Sequence, residues 1–93
     1  MKKETPSALR ILKEKRGRID LIDQKLLTLL NQRLGVALEL GKIKKKIGRK
    51  IYDPVREKEV LDNVNLKNRG PLQEQNLIRI FKTIIKVCRQ AQT

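Results

Sequence analysis

The chain has 93 residues, enough for one domain. It carries 23 Lys and Arg against 10 Asp and Glu, a formal net charge of +13, with no histidine. The single Cys88 excludes an internal disulfide, and without His the chain is not expected to hold a zinc ion or to use His-based acid–base catalysis.

Aromatic residues make up only 2% of the chain, so its apolar content is mainly Leu, Ile and Val. That mixture suits helices packed through aliphatic side chains. The positive surplus concentrates anions near the surface, whether nucleic acid, an anionic membrane or a small polyanionic substrate. One thiol in a basic chain fits a reducing cytoplasm. Met1 to Leu9 lacks the long apolar run of a signal peptide, and no apolar run reaches the length that spans a bilayer.

Thr5-Pro6 opens the first predicted helix, a hydroxyl cap followed by proline in the first turn. No further proline occurs until Pro54. Ile19, Ile22, Leu26, Leu29, Val36, Leu40, Ile43 and Ile47 follow a 3-4 spacing, which is a heptad seam. One helix over about residues 6–47 is the simplest reading, and it would be roughly 60 Å long. Residues 48–53 break the pattern. Asp53-Pro54 repeats the start signal for a second helix over 54–67, with Val60, Leu61 and Val64 facing inward. Asn68-Arg69-Gly70-Pro71 stops it. A third helix over 72–91 carries the seam Leu77, Phe81, Ile84 and Cys88. The whole is an all-α single domain over 1–93, with one very long helix and two shorter ones.

These lengths bear on assembly. Helices of about 20 and 30 Å cannot cover a 60 Å apolar seam, and monomers rarely leave such a patch wet. A second copy of the long helix is the natural cover, so an intertwined helical homodimer is expected.

Polar residues interrupt the core positions. The heptad register puts Arg33 where an apolar residue belongs, and Lys44 follows eleven residues later on nearly the same face. An unpaired buried charge is costly, so each seeks an anionic partner. Gln92 extends the third helix's seam four residues beyond Cys88. Asp53, Arg56 and Glu57 cluster at the start of the second helix, where capping and the helix dipole already account for Asp53 and Glu57. Arg16 lies on another face of the first helix and could reach such a set only across a dimer. A helical pocket lined by cations, an amide and a carboxylate suits a small dianion and chemistry that needs positioning and charge stabilisation.

Nearly the whole chain, from about Leu9 to Gln92, resembles the all-helical AroQ-class chorismate mutases. The resemblance is carried by Arg16 to Asp23 leading into Gln24-Lys25-Leu26-Leu27, by Asn31-Gln32-Arg33, by Glu39-Leu40-Gly41-Lys42-Ile43-Lys44, by Tyr52-Asp53-Pro54-Val55-Arg56-Glu57 and by Ile80-Phe81-Lys82-Thr83-Ile84-Ile85. It implies a cytoplasmic isomerase of phenylalanine and tyrosine biosynthesis that rearranges chorismate to prephenate. No cofactor, metal, nucleic acid or membrane is implied, and the active sites are shared within a homodimer. Arg33 and Arg16 of the partner subunit resemble the arginines that hold the substrate carboxylates, and Arg56 a further arginine. Lys44 and Gln92 match the lysine and amide at the ether oxygen. Asp53, through its backbone, and Glu57 match the pair near the ring hydroxyl. Cys88 departs from the pattern, standing where a serine touches a carboxylate, and its thiol is a weaker donor.

Two other readings compete. Isochorismate–pyruvate lyases share the fold but lack the acidic residue that Glu57 matches. A basic helical nucleic-acid-binding protein would use the +13 charge, but it leaves inward-facing Arg33, Lys44 and Gln92 unexplained. The family joins this domain to dehydratase, dehydrogenase or synthase modules as well as using it alone, and the resemblance suits both arrangements.

Overall fold

A computed structural model describes residues 5–93. Its elements are three helices, α1 (Pro6–Lys46), α2 (Pro54–Lys67) and α3 (Glu74–Ala91), with no strand among the described residues. The all-α expectation holds. The chain divides into two compact units, Met1–Asn31 and Gln32–Thr93, and α1 runs through both.

Local chemistry sets the helix ends. The Ala8 amide donates to Thr5 Oγ1 at 3.1 Å, which satisfies one of the orphan donors of the first turn of α1. At the other end Gly48 takes φ +69, the left-handed region that glycine enters without a Cβ penalty. The Arg49 amide then donates to the Lys44 carbonyl at 2.8 Å and the Gly48 amide to that of Lys45 at 3.4 Å. This is a Schellman closure, and it ends α1 at Lys46, one residue before the expected limit. Asp53 Oδ1 accepts from the Arg56 amide at 3.0 Å and caps α2, with Pro54 at its first position.

α3 begins at Glu74, two residues later than expected. The turn before it consumes those residues. Asn68 accepts from the Gly70 amide at 2.9 Å and donates to the Leu72 carbonyl at 2.7 Å, which holds residues 68–72 out of helical geometry. Gly70 there takes φ +72.

In the first unit every described residue is exposed, Ile19, Ile22, Leu26 and Leu29 included. In the second unit α2 packs against α3. The pair is antiparallel: Glu57 near the start of α2 meets Arg89 near the end of α3, and Asn65 near the end of α2 meets Glu74 at the start of α3. Leu77, Ile85 and Cys88 of α3 and Ala37 and Gly41 of α1 are buried. Val60, Leu61, Val64, Phe81 and Ile84 are half-buried, on the faces the sequence assigned to the interior. The α1 face buried within the second unit is therefore not the heptad seam. Small residues, Ala37 and Gly41, form it, while Val36, Leu40, Ile43 and Ile47 of the seam stay 47–64% exposed.

Candidate active site

The buried face of α1 places Arg33, Ala37, Gly41 and Lys44 at steps of four, four and three residues, which is one side of a helix. Ala37 and Gly41 are buried, and Arg33 and Lys44 flank them half-buried. Neither cation forms an ion pair with an acid among the described residues. Lys44 is nevertheless tethered: its ammonium donates to the Ile51 carbonyl at 3.0 Å. An ammonium has three donors, so this bond fixes Nζ while two protons remain for a ligand.

Gln92, the C-cap of α3, seats on this face. A Cβ placed on Gly41 would come within 3.0 Å of both Cβ and Cγ of Gln92. The absence of a side chain at Gly41 is what lets the end of α3 approach α1 so closely. Gly41 and Lys44 are one turn apart, so Gln92 seats on the side of α1 that also carries Lys44. Gln92 Nε2 donates to the Cys88 carbonyl at 3.3 Å, and its Oε1 is buried without a hydrogen-bond partner among the described residues. Cys88 is itself buried, and the bond to Gln92 is made by its backbone carbonyl.

The start of α2 adds a carboxylate. Glu57, half-buried in the first turn, pairs with Arg89 Nη1 through Oε2 at 3.5 Å. The Arg89 guanidinium lies 4.8 Å from the centre of the Tyr52 ring. Asp53 is half-buried, and its carboxylate is engaged by the Arg56 amide. The Arg56 side chain is exposed and pairs with Glu59 at 3.3 Å, pointing to solvent rather than to the cluster.

The second unit thus contains Arg33, Lys44, Asp53, Glu57, Cys88 and Gln92; contacts join Gly41 to Gln92, Gln92 to Cys88, Lys44 to Ile51 and Glu57 to Arg89. Arg56 belongs to the same unit but is turned away. Arg16 belongs to the first unit and is exposed. The sequence reading missed Arg89, Tyr52 and the Ile51 carbonyl. A signal existed for Arg89: it precedes Gln92 by three residues, so both occupy one side of the last turn of α3. Nothing in periodicity points to a loop carbonyl.

Chemically, the cluster offers charge-assisted donors without a nucleophile–base pair. It can bind an anion and stabilise negative charge developing on an oxygen placed between Lys44 and Gln92.

Comparison with known proteins bears on what that anion is. The family model described as chorismate mutase type II matches residues 15–93. A bifunctional chorismate mutase/prephenate dehydratase of Aquifex aeolicus is 37% identical over 81 residues, covering 83% of this chain and 22% of the relative. A chorismate mutase of Methanocaldococcus jannaschii is 36% identical over 76 residues, covering 81% of this chain and 77% of that protein. Among solved structures, form II of the chorismate mutase of Thermus thermophilus superposes with a TM-score of 0.85 at 28% identity, covering 87% of this chain and 92% of the other. The chorismate mutase of Helicobacter pylori, solved in complex with prephenate, superposes with a TM-score of 0.82 at 31% identity, covering 89% and 90%. The chain thus spans about a fifth of the bifunctional relative's length and most of the monofunctional one's.

Proposed function

The chain belongs to the type II chorismate mutase family, and from that premise we propose that it rearranges chorismate to prephenate, a step of phenylalanine and tyrosine biosynthesis, without a cofactor. The observation that carries this reading is the seating of Gln92 on Gly41, one turn from Lys44. It brings the residue that bears the amide onto the face of α1 that also carries the half-buried Lys44. In this Claisen rearrangement the C–O bond breaks ahead of C–C bond formation, so negative charge grows on the ether oxygen. Donors aimed there stabilise the transition state more than the ground state. Lys44 and Gln92 are assigned that role. The Ile51 carbonyl supports it by holding Nζ, which removes rotamer freedom from a long side chain before substrate arrives.

Arg33 has no acidic partner among the described residues and is assigned to a substrate carboxylate, in a charge-assisted and potentially bidentate pair. Glu57 is assigned to the ring hydroxyl, with the backbone of Asp53 beside it. Arg16 of the partner subunit is assigned to the second carboxylate, in a homodimer that covers the exposed seam of α1. Arg56 must swing from Glu59 to take part. Cys88 lines the site, and its free thiol suits a cytoplasmic enzyme.

The test is direct. Purified protein should remove the absorbance of chorismate and yield prephenate as the only product. Release of pyruvate from isochorismate, without turnover of chorismate, would assign the lyase instead. Inertness of the folded protein towards both would reject the proposal.

A further inference from the structure

We propose that Arg89 is a positioning residue of the active site, which holds the Glu57 carboxylate in place from the end of α3 with Tyr52 as its platform. The proposal rests on the assignment of Glu57 to the substrate's ring hydroxyl. Three observations carry it. Arg89 Nη1 stands 3.5 Å from Glu57 Oε2, with both side chains less than a third exposed, unlike the exposed pairs Arg56–Glu59 and Lys58–Asp62. The guanidinium lies over the Tyr52 ring at 4.8 Å from its centre. Arg89 also precedes Gln92 by one helical turn, so one short segment of α3 supports Glu57 and presents Gln92.

The physics favours this pair over an incidental surface contact. Glu57 is in the first turn of α2, and Arg89 is in the last turn of α3. Each charge is of the sign that its own helix end stabilises. Antiparallel packing brings the two ends together, so the ion pair bridges elements whose dipoles already favour it. The planar guanidinium can stack on Tyr52 and still present an edge to Glu57, and an ammonium cannot reproduce that fork geometry. With Oε2 engaged by Arg89, Oε1 is left to accept a hydroxyl proton donor from the substrate. Arg89 further offsets a negative charge inside a pocket meant for a dianion. Without it, Glu57 is free to rotate and repels the incoming carboxylates more strongly.

A positioning role differs from a packing role in what it discriminates. The experiment measures kcat and KM for chorismate, and for an analogue lacking the ring hydroxyl, with Arg89→Lys, Glu57→Gln and the double variant in the full chain. Thermal unfolding is followed in parallel. Arg89→Lys should lose about tenfold in kcat/KM for chorismate, a coupling of ordinary size for residues in contact, and much less for the analogue. In the Glu57→Gln background the same change should cost less than about twofold, because the group it positions is gone. Tyr52→Leu removes the platform and should show part of the Arg89→Lys loss. Equal losses on both substrates, or the same loss in both backgrounds, would overturn the proposal and leave Arg89 a packing residue. Full activity of Glu57→Gln would overturn the Glu57 assignment itself, an outcome distinct from a failure of Arg89 alone.

Discussion

Gly41→Ala separates stability from catalysis at this site. In a helix interior, Ala is favoured over Gly by about 1 kcal/mol. For a chain of this size that gain would raise the melting temperature by about 4–8 °C. The new Cβ, however, meets Cβ and Cγ of Gln92 at 3.0 Å, where ordinary van der Waals contact begins at 3.4 Å. Either α1 or Gln92 must yield by a few tenths of an ångström. Gln92 is the softer side, since it is the C-cap of α3, outside the helix's regular hydrogen-bonded turns, and its side chain is the part the new Cβ meets. Its retreat relieves the clash and withdraws the amide from the face of α1 that carries Lys44. A displacement of 1 Å can cost about a hundredfold in rate, so about tenfold is expected here, or about 1.4 kcal/mol. The loss should fall on kcat, because the amide acts on charge that develops only in the transition state. Gly35→Ala is the control: a Cβ there meets nothing within 4 Å of the same chain, and the position faces away from both the seam and the buried face. It should gain stability and keep its rate. The assay is steady-state turnover of chorismate beside thermal unfolding for parent and both variants. A Gly41→Ala protein that melts no lower than its parent and turns over chorismate at the parent's rate would refute the placement of Gln92 at the reacting bond. One that loses stability and rate together would mean the contact matters for packing alone.

Two further outcomes follow from the same geometry. Gln92→Glu keeps the side chain's size but donates a hydrogen bond only when protonated, so kcat/KM should be depressed at neutral pH and rise as the pH falls. Profiles of parent and variant that run parallel, over a range where circular dichroism reports both folded, would place Gln92 away from the ether oxygen. If Arg16 completes the partner's site, sedimentation should give twice the 10.8 kDa chain mass, and mixing inactive Arg16→Ala and Arg33→Ala chains should restore part of the activity. No recovery after verified subunit exchange would refute a shared site.

The helix plan was legible because each boundary is written in residue types with one dominant mechanism. Thr5-Pro6 and Asp53-Pro54 cap and start helices, and the side-chain bonds to the Ala8 and Arg56 amides are the ones those caps imply. The two-residue error at the start of α3 came from Asn68, whose side chain ties down the turn through both its oxygen and its nitrogen. That double use depends on where the chain goes next, and no propensity encodes it. The seam of α1 was legible as a pattern, but its role was not. Heptad spacing marks which face is apolar, not which partner covers it, and within this chain the buried face proved to be that of Ala37 and Gly41. Small residues give a weak signal in any hydrophobicity pattern, although they are what permits close helix approach.

The site divides along the same line. Arg33 and Gln92 were visible because they put polar groups at positions where periodicity demands apolar ones, and Lys44 because it follows Arg33 by eleven residues on nearly the same face. Arg89, Tyr52 and the Ile51 carbonyl violate nothing. A basic residue in a last helical turn and an aromatic residue before a cap are ordinary in sequence, and they acquire meaning only when α3 folds back along α2. Sequence therefore discloses the polar groups that interrupt an apolar face. It conceals the groups that orient them, because an orienting residue is already satisfied by its protein partners. Lys44 shows both halves at once. Its position on the face of Arg33 was legible in the sequence, while the bond that holds it, 3.0 Å to a carbonyl in the loop after α1, leaves no trace in the pattern. That asymmetry is why loss of Arg89 should be read in what the site discriminates and loss of Lys44 in whether it reacts at all.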